Sequence, residues 1–358
     1  MKVGLIGLPG SGKTSLFNAL TRSQARLHDY DAHDTSVNIA TIPVPDRRFD
    51  IAVEICRPKK QVQASLEVVD GAARIQLGER GSTFGTDFFA GLRTVDALVL
   101  VVDAFRADQA SPVRDADAVA QELLLADLTV LDNRLARLEK SRAAKRLSAA
   151  DAIEETAIRS LHATLDDMRP IRSASLTPEE ERVARNFALV TAKPLILVLN
   201  VAEDALQMQT PLQTEARTYA EGAGLPLITL CAKLEAEIAQ MSPDEERDYL
   251  EAMGLEESAR DALIRVAYQQ LGLLTFFTVG ADEVRAWTIR AGTTALGAAE
   301  KVHTDIARTF IRAEVMEFDD FRQYGGWDAA RAAGKMRLEG KDYVVRDGEI
   351  VHIRNSRG

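Results

Sequence analysis

Cysteine is almost missing from this chain. Cys56 and Cys231 are the only two in 358 residues. Two thiols cannot build a disulfide framework. The N-terminus runs straight into an apolar strand and a glycine-rich loop, so no signal peptide is expected and the expected compartment is a reducing cytoplasm. Apolar runs are short. None approaches the roughly 18 residues that would cross a bilayer, so neither a transmembrane helix nor a membrane partner is expected. Histidine is sparse and scattered, at His28, His33, His162, His303 and His352, with no pair at zinc-ligand spacing. Positive charge is in deficit: 44 Lys and Arg against 54 Asp and Glu, a net charge of −10. Global attraction to nucleic acid is excluded by that balance. DNA is not an expected partner, and any RNA contact must use local basic patches. What remains is ordinary globular material, 46% hydrophobic and 27% charged, long enough for two or three domains.

One stretch organises the rest. Gly7-Leu8-Pro9-Gly10-Ser11-Gly12-Lys13-Thr14 has the spacing of a phosphate-binding P-loop. Val3 to Ile6 before it suits a buried parallel strand, and Ser15 to Leu20 after it has helical apolar spacing. A strand, a glycine-rich turn and a helix N-terminus together form an anion site, because backbone N–H groups point inward and the helix dipole adds partial positive charge. Gly10, Ser11, Gly12, Lys13, Thr14 and Ser15 are the candidate phosphate-binding residues. The Lys13 ammonium should reach the β- and γ-phosphates, and the Thr14 hydroxyl should ligate Mg²⁺.

Further segments complete a nucleotide site. Residues 22–40 are polar and suit a loop over the nucleotide; Thr35 and Ser36 are its hydroxyls that could touch Mg²⁺ and γ-phosphate, an ordinary surface loop being the alternative. Thr41 to Asp46 reads as an edge strand stopped by prolines. Ser65 to Asp70 is a strand ending in an acid, and Asp70 is the natural carboxylate to hold Mg²⁺ beside the P-loop. The glycine-containing segment 71–87 suits a second switch. Residues 97–103 and 194–200 are continuous apolar strands, expected to be buried on both faces. The second ends in Asn200-Val201-Ala202-Glu203, and a later strand ends in Cys231-Ala232-Lys233. Asn200 can bond a purine edge, with the Cys231–Lys233 backbone on the far side. A guanine reader normally has Asn-Lys-x-Asp, whose carboxylate grips guanine N1–H and the exocyclic amine together. Val201 and Glu203 stand at those Lys and Asp positions, and the longer carboxylate is misplaced for that grip. Strong demand for guanine is therefore not expected.

Between these strands, Leu124, Leu128, Leu131, Leu135 and Leu138 form an a/d seam, and Ile158, Leu161, Leu165 and Met168 repeat it. An antiparallel helical hairpin follows, with Lys140, Arg142, Lys145 and Arg146 near its tip, either a contact surface or a solvated helix end. Thr177 is the expected N-cap of the next helix. From about Leu273 the texture is β-rich. Strands are expected over 275–280, 284–289 and 310–315, a helix over 294–309, and a hairpin over 343–353 around Asp347-Gly348. A small mixed sheet with one helix suggests a β-grasp domain.

The blocks GLPGSGKTSLFNAL, TIPVPDRRFD, LADLTVLDNRLARLEK, TAKPLILVLNVAE, CAKLEAEIA, EVRAWTIRAGTTALGAAEKVHTDIARTFIRAEV and GKDYVVRDGEIVHIR together resemble the YchF/Obg-like ATPases, nearly end to end. The resemblance implies an α/β fold: a doubly wound P-loop NTPase domain over 1–110 and 190–272, a helical coiled-coil insert over 111–189, and a β-grasp TGS domain over 273–358. It also implies preference for ATP over GTP, slow hydrolysis, Mg²⁺ dependence and association with the ribosome or its RNA. Asn200 and Glu203 match the family's Asn-x-x-Glu motif. Three positions depart from the family. Gly10 replaces an Asn that in related enzymes helps hold a potassium ion. Ala73 replaces a switch glycine, and Arg74 a hydrophobic residue. No side chain is a convincing general base. Catalysis would rest on positioning and electrostatics from Lys13, Asp70 and the Ala73 amide. Two rivals stand beside a slow ATPase: a GTP-specific Obg-type GTPase, and a nucleotide-gated binding module with little turnover.

Overall fold

The computed structural model describes residues 1–22, 38–70, 86–106 and 109–356. It divides into two units, Met1–Ala40 with Glu67–Leu263, and Thr41–Leu66 with Ile264–Gly358. In chain order the elements begin β1 (Lys2–Ile6), α1 (Lys13–Thr21), β2 (Asn38–Pro43), α2 (Arg47–Cys56), β3 (Lys60–Val62), β4 (Ser65–Asp70), α3 (Thr86–Arg93) and β5 (Ala97–Ala104). They continue α4 (Pro112–Ala143), α5 (Ala149–Asp166), α6 (Pro178–Asn186), β6 (Leu195–Val201), α7 (Pro211–Ala223), β7 (Leu227–Leu230), α8 (Ala232–Ile238), α9 (Pro243–Ala252) and α10 (Ala259–Gln270).

The first unit is built on a six-stranded sheet of order β2-β4-β1-β5-β6-β7. Neighbours from β4 to β7 run parallel. Every residue of β5 and β6 is buried, as expected of central strands covered by helices on both faces. Leu98, Leu100 and Leu199 pack with Val119 and Leu123 of α4 and with Ala216 and Ala220 of α7. The registers Leu5↔Asp70, Ile6↔Leu100, Asp103↔Asn200 and Asn200↔Leu230 align the carboxyl ends of the strands. That alignment gathers Gly7, Asp70, Asp103 and Asn200 along one edge, where ligands of open α/β sheets bind.

The expected helical hairpin is α4, about 48 Å long, followed by α5. Leu124, Leu131 and Leu138 are buried against Ile158, Leu161 and Leu165. Ser148 caps α5 and Thr177 caps α6, each in a capping box closed by an acid three residues on. Asp127 of α4 is fully buried and accepts from the Val190 and Thr191 amides and the Thr191 hydroxyl. It thereby ties the hairpin's base to the segment entering β6. The reading of four basic side chains at the tip needs one correction. Arg142 is paired with the buried Glu155, which also takes Arg159 at 2.8 Å. Arg142, though exposed itself, therefore neutralises an interior charge, which leaves Lys140, Lys145 and Arg146 as the tip's exposed cations not paired with a buried carboxylate.

The second unit adds β8 (Leu273–Thr278), β9 (Glu283–Arg290), α11 (Ala295–Val302), α12 (Thr304–Arg308), β10 (Phe310–Met316), α13 (Phe318–Tyr324), α14 (Trp327–Ala332), β11 (Arg337–Glu339) and β12 (Ile350–Asn355). Its mixed sheet has the order β11-β10-β12-β8-β9-β3. The sequence boundaries put residues 41–66 in the nucleotide domain; the structure groups them here. β3 pairs in parallel with β9, and Arg48 of α2 binds Asp46 and Asp347 at 2.8 Å each. The expected helix over 294–309 is broken at His303, whose ring accepts from the Asp305 amide. The expected hairpin around Asp347-Gly348 does not form. β12 pairs instead with β10, antiparallel, and with β8, parallel. Asp347 is held by the Thr275 amide and Arg48. The buried Glu349 collects Arg337, the Tyr343 hydroxyl and the Arg346 amide, and Val344 pairs only as an isolated bridge with Thr294.

Candidate functional site

The loop after β1 takes a path that only glycine permits at two points. At Gly7 (φ 148°) a Cβ would come within 2.3 Å of the Val101 carbonyl oxygen. At Gly12 (φ 93°) it would come within 2.1 Å of Asn200 Nδ2. Gly12 is also the N-cap of α1 and offers no side chain to the helix's first amides. Those amides face an anion site of the kind phosphates occupy. Lys13 is buried, and its Nζ donates to the Leu8 carbonyl at 2.8 Å. Burial lowers its pKa to about 8, opposed in part by the nearby Asp70 carboxylate. The Ser11 hydroxyl is buried with no hydrogen-bond partner among the described residues. Thr14 and Ser15 follow, half-buried, in the first turn of α1, and Gly10 is exposed at the loop's crest.

Asp70 ends β4 and is 3% exposed. Asn200, near the end of β6, joins the loop to the next strand's end. Its Nδ2 donates to the Ser11 carbonyl at 3.0 Å, and its Oδ1 accepts from the Ala232 amide at 2.9 Å. The Ala232 amide is thus committed to Asn200. Cys231 and Ala232 are buried, while the Lys233 side chain is exposed beside Glu237. Glu203 opens a short 3-10 turn beyond β6 and lines a pocket of about 440 Å³ with Leu206, Gln207, Leu234, Tyr249 and Met253. The structure therefore brings Gly10 to Ser15, Asp70, Asn200 and Ala232 to one strand edge. Thr35, Ser36, Ala73 and Arg74 lie outside the described residues.

Sequence reasoning misses a charged pair at the same edge. Asp103, 2% exposed at the end of β5, holds the Arg106 side chain through Nε. The signal in sequence is faint: an acid closing an apolar strand and a base three residues on. Nothing local tells that the guanidinium comes to stand by the P-loop.

Residues 2–134 match the family described as "50S ribosome-binding GTPase". Residues 273–356 match the C-terminal YchF-GTPase family, described as "Protein of unknown function (DUF933)". The chain is 36% identical over 363 residues to the ribosome-binding ATPase YchF of Bacillus subtilis (strain 168), covering 99% of both chains. It is 32% identical to the Obg-like ATPase 1 of Rattus norvegicus, covering 99% of this chain and 92% of that one. Among solved structures it is similar to the YchF GTPase of Schizosaccharomyces pombe, with a TM-score of 0.87, 31% identity, and coverage of 99% and 97%.

Proposed function

The chain belongs to the YchF family of P-loop ATPases, and from that premise we propose that it is an ATP-binding, slowly hydrolysing molecular switch that acts with the ribosome. The observation that carries this reading is Asn200, whose amide locks the phosphate loop at Ser11 to the β7–α8 junction at Ala232. One side chain thereby sets the spacing between the phosphate and base ends of the site. The Nδ2 group carries two protons; one is used on Ser11, and the other is offered to a purine edge. Val201 and Glu203 replace the Lys and Asp of a guanine reader, which favours adenine tolerance over a strict GTPase.

The residues present fit a magnesium ion bound together with nucleotide. Thr14 offers a hydroxyl in the first turn of α1 and Asp70 a buried carboxylate at the neighbouring strand end. No group of three His, Cys, Asp or Glu is assembled among the described residues. The ion would therefore complete its shell with phosphate oxygens and water, as Mg²⁺ usually does. It would supply charge neutralisation at the phosphates. Lys13 exchanges its contact with the Leu8 carbonyl for phosphate oxygens, and the loop amides hold the polyphosphate. No described side chain is placed as a general base, so rate enhancement rests on position and charge. The exposed hairpin tip and the C-terminal mixed sheet are the surfaces offered to the ribosome.

Single-turnover hydrolysis of ATP, with magnesium or with excess chelator, tests the reading. Slow turnover that needs magnesium and is lost in Thr14→Ala is expected. Tight ATP binding without any turnover would favour a binding module whose switch is altered at Ala73 and Arg74. Absence of ATP binding would end the proposal.

A further inference from the structure

Gly10 has no side chain, yet the space above it is occupied. A Cβ built there would lie 3.6 Å from both Nη1 and Nη2 of Arg106 and 3.9 Å from its Cζ. The guanidinium therefore stands at the crest of the phosphate loop. Asp103 fixes it there. One carboxylate oxygen takes Arg106 Nε at 2.5 Å, and the other takes the Phe105 and Arg106 amides at 3.0 and 3.3 Å. Asp103 is buried in the end of β5, and the guanidinium also lies 5.5 Å from the centroid of the Phe105 ring. Among the described residues, Asp103 is the side chain that accepts from Arg106, and it takes only Nε. The pair is neutral as a whole but oriented. Its carboxylate is tucked behind, and the two terminal nitrogens, with four N–H bonds, face the loop.

From this geometry we propose that Arg106 is a phosphate-contacting residue supplied in cis. Its terminal N–H groups hold the β/γ end of the nucleotide triphosphate over Gly10. The inference rests on the P-loop reading above and adds a residue to it. A planar guanidinium matches phosphate oxygens in a bidentate way that a lysine does not. Held in advance by a buried carboxylate, it is ready for charge that builds on the phosphates during hydrolysis. In that reaction the water oxygen bonds to the γ-phosphorus as the bond to the bridging oxygen breaks. ADP leaves with the electron pair, and the water proton passes to the released phosphate. Arg106 takes no proton in this step; it lowers the energy of the anionic oxygens. A Cβ at position 10 would meet the guanidinium in ordinary van der Waals contact, so it is the φ of 79° that favours glycine there.

The test measures the affinity of a non-hydrolysable ATP analogue for the full chain and for Arg106→Ala, Arg106→Gln and Arg106→Lys. Gln can still bond Asp103 but carries no charge, and Lys keeps the charge. We expect the Ala and Gln variants to bind at least threefold more weakly than the parent. Lys should recover part of that loss, and every variant should still melt in one cooperative transition, well above the assay temperature. A loss of affinity in Ala alone, with Gln at the parent's affinity, would mean a structural role and overturn the proposal. So would Ala and Gln affinities within threefold of the parent. If the parent melts cooperatively but binds no analogue, the P-loop reading fails, and the role of Arg106 with it.

Discussion

Lys13 carries the most telling charge in the site. A lysine is charged below its pKa, and burial brings this one from 10.5 to about 8. The folded state therefore pays to protonate it. That cost is full below about pH 8 and fades as the pH rises to about 10.5, so this group's contribution to stability improves with pH across the window. Bound phosphates favour the ammonium and raise its pKa. ATP binding at about pH 8.5 should then take up part of a proton, read by calorimetry in two buffers of different ionisation enthalpy. A binding enthalpy independent of buffer at that pH would contradict the assignment. Lys13→Ala should cost about 1.5–3 kcal/mol of ATP binding, the size of a charge-assisted hydrogen bond. Parental affinity in that variant would show that Lys13 does not touch the phosphates. Lys13 and its loop are legible in the sequence because a P-loop is a local motif, with its strand, turn and helix written side by side. Arg106 is not. Its place over Gly10 follows from the register of β1 against β5, which no local pattern encodes.

Among the elements, α4 has the longest reach and the most specific anchor. Asp127 takes three donors from residues 190 and 191 with no exposure to water. Asp127→Ala would leave those donors buried and unmatched, so a loss of about 2–4 kcal/mol is expected. Urea unfolding measures it through the midpoint at unchanged slope. A loss under about 1 kcal/mol would mean that water replaces the carboxylate there. The apolar strands β5 and β6 and the leucine seam of the hairpin are legible because burial on two faces, or along one helical stripe, leaves a periodic mark. The segment 343–353 misleads for a physical reason. An Asp-Gly pair between apolar residues signals a hairpin turn, but Asp347 bonds Thr275 and Arg48, 72 and 299 residues away in sequence. The short strand β3 has no local mark either, since it finds its partner strand at Glu283–Arg285. Where distant partners decide, periodicity and turn residues do not name them.

At the scale of the molecule, a net charge of −10 argues against diffuse attraction to an anionic partner. The proposed ribosome contact must then be local. Lys140, Lys145 and Arg146 are exposed cations of the hairpin tip, and Arg142, also exposed, is engaged with the buried Glu155. Changing those three to Ala, with Arg142 kept, should leave ATP binding intact. It should also weaken co-sedimentation with ribosomes and flatten its salt dependence. Superimposable salt series for parent and variant would show that the tip is basic only for solubility. The central claim concerns the nucleotide, and direct competition between ATP and GTP for the magnesium-loaded protein tests it most simply. The site, with Asn200 holding the loop and Val201 and Glu203 in place of a guanine grip, predicts that ATP binds at least as tightly as GTP. A GTP affinity tenfold or more above that for ATP, about 1.4 kcal/mol, would contradict it.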